Sequence, residues 1–287
     1  MRNSSKRLYL VVLALTVVVA IPFVAMYVQQ KNRPGDYPDM IERGVLHIGM
    51  IHSPSVYCVA DDSVSGYDYE LLHLMARHAG VEIEIHAESS LAQCHKLLGN
   101  GTCDFLAFRS PVTSAGREAY LYSRPVSLDK QVLVQRIDSI HGTAIRTQLD
   151  LDGCTLHIAQ GDAARLRIEN LAREIGGTIH IHDIPDATPY TLVEKVASGA
   201  IEYAVCDATT AAMAARTYSN IDCNVDISLT QFMSWRMRCE STILCDSIDS
   251  WLAAVQLTDE YKSLYTRYFG AKSYDKMCRI TTRDNVQ

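Results

Sequence analysis

Hydrophobic positions in this chain change period from strand-like to helix-like and back, twice in succession. The first cycle opens with the alternating run Val45 to Met50 and a turn-rich loop (Ser53-Pro54-Ser55, Asp61-Asp62-Ser63, Gly66). Tyr67 to His78 then puts Leu71, Leu72, Met75 and Ala79 on one face at helical spacing, with Gly80 as the stop. Strand Val81 to His86, helix Ser90 to Leu98, the turn Gly99-Asn100-Gly101 and strand Cys103 to Phe108 complete the cycle. Arg109 to Thr113 break it. Strand, helix, strand, helix, strand with short links predicts a parallel sheet, whose sites lie beyond the carboxyl ends of its strands. Here those ends are the loops after Met50 and after Phe108.

A strand at Gln131 to Gln135 and a polar, turn-rich interval (Asp138 to Asp152) lead into the second cycle. It reads as strand Thr155 to Ala159, loop Gln160-Gly161-Asp162, helix Ala163 to Ile175, strand Thr178 to Ile184, helix Pro189 to Ala197 and strand Tyr203 to Cys206. Leu97 to Ala107 and Val196 to Val205 echo each other as helix end, glycine turn and buried strand, so the second half is expected to repeat the architecture of the first. Ile227 to Met237 reads as a strand carrying the chain back, and Asp246 to Val255 and Asp259 to Phe269 as closing helices. Two crossings, near Leu133 and near Phe232, would make a hinge with a cleft between two lobes.

Ahead of both cycles, Leu8 to Val28 is an apolar run interrupted by Thr16 and Pro22. As a helix it would cover roughly 30 Å, the thickness of a bilayer's hydrocarbon core. Arg2, Lys6 and Arg7 precede it, which predicts a cytoplasmic amino terminus and an exported remainder. The run is longer than a secretory signal's apolar region, and Val24-Ala25-Met26 is a poor cleavage site, so an uncleaved anchor is the favoured reading over a cleaved signal. No cysteine precedes Cys58, which excludes a lipid-modified cysteine at the end of the run.

A net charge of −6 gives no basic footprint, so nucleic acid is not an expected partner. Nine cysteines in an exported domain suggest disulfides, with Cys94–Cys103 and Cys239–Cys278 as candidate pairs against the alternative of small buried apolar residues. The absence of a CxxC pair leaves zinc-ribbon or thioredoxin chemistry without support, and no phosphate loop, GxSxG elbow or HExxH occurs. His180 and His182, alternate residues of a strand, share a face and with Asp183 invite comparison with a metal set, but a polar outer face is the favoured reading. His52 in the first-strand loop is a lone histidine and weak ground for catalysis. No cofactor and no metal is expected.

Taken in order, several passages resemble the periplasmic solute-binding proteins of family 3. They are Gly44 to Gly49, Gly66 to Leu72, Leu98 to Asp104, Thr113 with Ser123-Arg124-Pro125, Ala159 to Asp162, and Tyr268-Phe269-Gly270. The resemblance implies an α/β, two-lobed periplasmic-binding-protein fold (type II) with a two-strand hinge, here preceded by one transmembrane helix. It is also similar to the front half of the membrane-bound lytic transglycosylase F family. The resemblance stops at Gly270, so the peptidoglycan-cleaving domain of that family is not expected; Glu240-Ser241, a superficial match to its catalytic pair, falls inside the binding fold. The expected layout is 1–28 anchor, 29–40 linker, 41–133 first part of lobe 1, 134–231 lobe 2, 232–271 return to lobe 1, and 272–287 a tail.

In that family an arginine after the third strand clamps a ligand carboxylate with paired hydrogen bonds. In register it falls on Gly116; Arg117 comes one residue late, and Arg109 takes the place of a small polar residue. Tyr57 in the first-strand loop either stacks on the ligand or fills the cleft rim, and Thr113 is a further candidate contact in lobe 1. In lobe 2 the resemblance implies backbone N–H groups at Gly161-Asp162-Ala163 and an acidic group, Asp207, for a ligand amine. Asp162 near a helix start either repels a carboxylate or caps the helix itself. The function so implied is non-enzymatic binding of a small polar solute, amino acid-like or peptidoglycan-derived, in the periplasm. An ABC transporter permease or a cell-wall enzyme would be the protein partner. A non-catalytic regulatory relative of lytic transglycosylase F, or a structural module with a degenerate cleft, are the alternatives.

Overall fold

The computed structural model describes residues 36–60, 63–137 and 143–284. The expected anchor and most of the linker lie outside these residues; among the described residues, no helix is long and apolar enough to cross a membrane.

Helix α1 (Tyr37–Arg43) leads into β1 (Val45–Ile51), followed by a hairpin of β2 (Cys58–Ala60) and β3 (Ser63–Ser65). Helix α2 (Tyr67–Ala79) then returns the chain to β4 (Glu82–Glu88), and α3 (Leu91–Gly99) returns it to β5 (Phe105–Pro111). The helices form where the spacing predicts. In α2, Asp68 and Glu70 occupy the first turn and Arg77 and His78 the last, matching the helix dipole, while Gly80 closes it in the left-handed conformation. Ser90 caps α3 by accepting the Gln93 N–H at 3.2 Å. β5 continues past the expected break at Arg109, because a returning strand, Gln231–Arg238, pairs with it antiparallel as far as Pro111, whose missing N–H falls at the strand's last position. The short α4 (Ser114–Ala119), β6 (Tyr120–Tyr122) and β7 (Ser127–Asp129) finish the first pass.

Crossing at Lys130, the chain enters a second sheet with β8 (Gln131–Arg136), β9 (Thr155–Ala159), α5 (Ala164–Ile175), β10 (His180–Ile184), α6 (Pro189–Ser198), β11 (Tyr203–Asp207), α7 (Ala208–Ala214) and β12 (Ile221–Asp222). It comes back between Ser228 and Gln231 as β13 (Gln231–Arg238) and ends in α8 (Thr242–Val255), α9 (Asp259–Phe269) and α10 (Ala271–Asp284). The first sheet runs β4-β1-β5-β13-β6, with β7 also on β13; the second runs β10-β9-β11-β8-β12. The two halves repeat one topology. Each begins with its inner strand, steps outward to an edge and returns to the far side in parallel, and each receives an antiparallel strand at a crossing. Leu133, the expected crossing, lies inside β8 and pairs with Val205. The stretch expected as a tail is for the most part α10, whose Met277 is buried.

Trp235, Tyr67 and Tyr265 are among the largest side chains with almost no exposure, and the Tyr67 hydroxyl donates to the Val126 carbonyl at 2.6 Å. Gly66 allows Tyr67 to enter this core. Its φ is 129°, and a Cβ there would stand 2.3 Å from the Val56 carbonyl oxygen. Gly66→Ala is therefore expected to lose at least the roughly 1–3 kcal/mol of a strained backbone, read as a lower urea midpoint; an unchanged midpoint would contradict it.

The disulfide expectation is corrected. Cys94, Cys103 and Cys239 are free thiols, as are Cys58, Cys154, Cys206, Cys223 and Cys245. Cys94 Sγ donates to the Met50 carbonyl instead of facing Cys103, and burial pushes both thiols up to about 12, where they behave as small apolar groups. Cys239 Sγ sits 3.9 Å from the Glu118 carbonyl oxygen, and Cys278 lies against Tyr274.

Candidate functional site

Beyond the carboxyl ends of β1, β5, β9 and β11 the lobes enclose about 740 Å³, part of it open to solvent. Ser53, Ser55, Arg109, Ser110 and Arg236 line it from lobe 1, and Gln131, Gly161, Asp162, Asp207 and Thr210 from lobe 2. The lobes touch across it: Ser55 and Thr210 hydroxyls lie 3.2 Å apart, and a Cβ on Gly161 would come within 3.1 Å of His95 Nδ1. Glycine at 161, with φ 86°, permits that approach.

Of the residues the sequence nominates, Arg109, Gly161, Asp162, Ala163 and Asp207 line this cleft. Tyr57 does not; it packs on Tyr69 and His52, with ring centroids 5.6 and 5.4 Å away. Thr113 caps α4 by accepting the Gly116 N–H at 3.0 Å and lines a shallower groove beside the cleft. Arg117 is exposed on α4 and lines neither cavity. Position 116 has no room for a side chain at all, because a Cβ there would lie 2.0 Å from the Tyr122 hydroxyl.

The guanidinium the sequence does not place comes from β13. Arg236 is buried, lies 5.5 and 5.8 Å over the Tyr120 and Tyr122 rings, and has Nη1 3.0 Å from His95 Nε2. Burial, then the Arg236 charge, depress His95 to about 4, so the neutral ring accepts from Arg236. Arg236 reaches both the cleft and the groove under α4, and its Nε has no hydrogen-bond partner. The register of β13 on β5 slips between Ser234 and Arg236, a bulge that re-aims the strand's side chains beside the site. An alternating strand pattern read without its partner gives no hint of that slip.

Arg109 holds the floor. Its Nε donates to Asp68 at 3.0 Å, its Nη1 lies 3.7 Å from Asp129, and the group sits over the Tyr67 and Phe269 rings at 5.6 and 5.1 Å. Asp68 also accepts the Trp235 indole N–H at 2.9 Å. Asp207 Oδ1 caps α7 at the Thr210 N–H, and Asp162 Oδ1 accepts the Ala164 N–H at the start of α5, both at 2.8 Å. The start of α5 thus already carries a carboxylate where a ligand anion would sit.

Three carboxyl groups in and beneath the cleft, Asp68, Asp129 and Asp162, titrate high. Burial pushes Asp68 up to about 6 in spite of Arg109, and Asp162 up to about 6 in spite of the Ala164 N–H and Arg236. Burial and the neighbouring Asp207 push Asp129 up to about 7. A carboxyl held above its unfolded value binds its proton more tightly in the native state, so its contribution to stability falls as pH rises from 3.8 through about 7. Asp129→Asn lacks that loss. It is expected to raise the urea midpoint relative to the parent at pH 8.5, with the advantage shrinking toward pH 4; an offset equal at both pH values would contradict this.

The profile of the bacterial extracellular solute-binding proteins, family 3, matches residues 46–271. The chain is 26% identical over 197 residues to a membrane-bound lytic murein transglycosylase F of Cronobacter sakazakii, covering 68% of this chain and 37% of that protein. Among solved structures, an ancestral arginine-binding protein bound to arginine superposes with a TM-score of 0.68 at 18% identity, covering 79% of this chain and 99% of that one. A putative L-cystine ABC transporter protein from Listeria monocytogenes superposes with 0.69 at 17% identity, covering 80% and 97%.

Proposed function

Because this chain belongs to the bacterial extracellular solute-binding proteins of family 3, we propose that it is a non-catalytic receptor that shuts two lobes around a small polar solute outside the cytoplasm. The observation that carries this reading is the convergence of charged groups from both sheets, the buried guanidiniums of Arg109 and Arg236 with the half-buried Asp162 and Asp207, on one cleft. Ligand contacts made to both lobes at once favour the closed arrangement over an open one, which is how such a fold reports occupancy. The apolar run Leu8 to Val28 supports a tether to the outer side of a membrane.

The two lobe 2 carboxylates on the cleft, Asp162 and Asp207, favour an amino acid-like solute carrying a cationic group, with Arg236 and Lys130 on the same lining for its carboxylate. Its ammonium or guanidinium is held by Asp162 and Asp207, and its carboxylate, where it has one, by Arg236. Thermal-shift and calorimetric titration of the Asp36–Gln287 segment with basic, neutral and acidic amino acids tests this, since a ligand binding only the native state raises the melting temperature. A rise with basic members is expected; a rise with acidic ones alone would overturn the charge assignment, and no rise with any would overturn the receptor reading. The likeness to transglycosylase F favours a second reading, a regulatory subunit for a cell-wall enzyme. Binding of cationic peptidoglycan stem peptides in the same assay, without cleavage of purified peptidoglycan, would select it.

A further inference from the structure

At the far edge of the first sheet, sharing no residue with the cleft, His47, Glu84 and His86 turn one nitrogen or oxygen each toward a common point. The backbone brings them there. β1 and β4 pair in parallel with His47 beside Glu84 and Gly49 beside His86, so all stand on one face. The His47 and His86 ring centroids lie 5.2 Å apart.

We propose that this cluster is a binding site for a borderline first-row divalent cation, of which Zn²⁺ is the type. His47 Nδ1 and His86 Nε2 are 3.0 Å apart, and each faces an oxygen of Glu84, at 3.7 and 3.6 Å. Ligands about 2.0–2.1 Å from a tetrahedral zinc stand about 3.3–3.4 Å from one another; the two nitrogens and the Glu84 carboxylate, Oε2 toward His47 and Oε1 toward His86, lie near that spacing. The chemistry of the donors points the same way. If one imidazole donates to the other, that N–H and that lone pair are both used, and neither of these nitrogens has a proton left for the Glu84 carboxylate. A single proton satisfies one pair of this triangle, whereas one divalent cation satisfies all three. Two imidazoles and a carboxylate are borderline donors that suit zinc, nickel, copper or cobalt better than magnesium or calcium. The His47 and His86 side chains are 22% and 28% exposed and that of Glu84 58%, so an ion can load from solvent and keep solvent in its remaining positions. Bound there, it would clip edge strand β4 to β1.

Titration of the metal-stripped full chain with Zn²⁺ and, for spectroscopy, Co²⁺ tests the site. The expected result is one equivalent bound with a rise in melting temperature, and a cobalt spectrum free of thiolate charge-transfer absorption. His47→Gln and His86→Gln should each weaken binding by more than the roughly 10–100-fold that loss of an outer-sphere partner costs, while leaving the metal-free melting temperature unchanged. Equal affinity in the parent and in the His47→Gln/His86→Gln double variant would overturn the proposal. So would a thiolate band, which would put the ion on the cysteines instead.

Discussion

Arg236→Ala is expected to weaken solute binding by about 10²–10³-fold, while Arg117→Ala leaves it within about twofold. The contrast follows from where each guanidinium lies. Arg117 is on the exposed side of α4, where a side chain exchanges contacts with water at little cost. Arg236 is 6% exposed, stacked on two tyrosines, and bonded to a histidine that stays neutral and so cannot neutralise it. A carboxylate brought to it meets a positive charge that has already been desolvated and oriented, so little reorganisation opposes the bond. Arg236→Lys keeps the charge but loses the fork and most of the ring stacking, and should fall between the parent and alanine. Calorimetric titration with whichever basic amino acid gives the largest thermal shift measures all three variants. Arg236→Met, which preserves the packed stem, separates loss of binding from loss of fold. Parent-like affinity in Arg236→Ala and Arg236→Met together would remove this arginine from the site.

The sequence made the repeated strand–helix units legible because each short helix carries its own stop, Gly80, Gly176 or Gly199, and each strand its own hydrophobic run. Local signals of that kind survive without knowledge of the partner strands. The lobe 2 side of the cleft was legible for the same reason: Gly161, Asp162 and Asp207 sit at strand ends, and strand ends define the mouth of such a sheet. Lobe 1 was harder. Its key arginine comes from the returning strand, more than a hundred residues after β5, and its direction depends on a bulge formed only by pairing. Position 116 gave half of the signal. A glycine stands there where the family has an arginine, and the structure puts the Tyr122 hydroxyl in the space, with Arg236 over the Tyr122 ring. The histidine cluster on β1 and β4 was hidden in a similar way, since His47 and Glu84 become neighbours only once the register is known. Helix α7 was also missed, because its mostly small side chains, Ala and Thr with the single Met213, give no apolar stripe.

Arg109→Ala is expected to cost about 3–5 kcal/mol of stability, the loss incurred when one partner of a buried ion pair is removed. Its side chain is 4% exposed, against 0% for Asp68 and 5% for Asp129, so neither carboxylate can turn to water once the guanidinium is gone. Burial alone would discharge Arg109. The carboxylates of Asp68, Asp207 and Asp129 outweigh it and hold the pKa above the ordinary arginine value, so one cation serves three anions. Without it those anions repel one another in a low-dielectric floor, and their pKa values rise beyond the present 6 for Asp68 and 7 for Asp129. The native state then takes up protons more readily than the unfolded chain over a wider span of pH, so its stability falls more steeply as pH rises through that span. Urea unfolding of the variant should therefore show a deficit that is larger at pH 8 than at pH 5. Combining Arg109→Met with Asp68→Asn should restore part of it, because the uncharged replacements no longer leave a charge stranded. A deficit independent of pH would mean that Arg109 contributes through its contacts with Tyr67 and Phe269 and not through its charge.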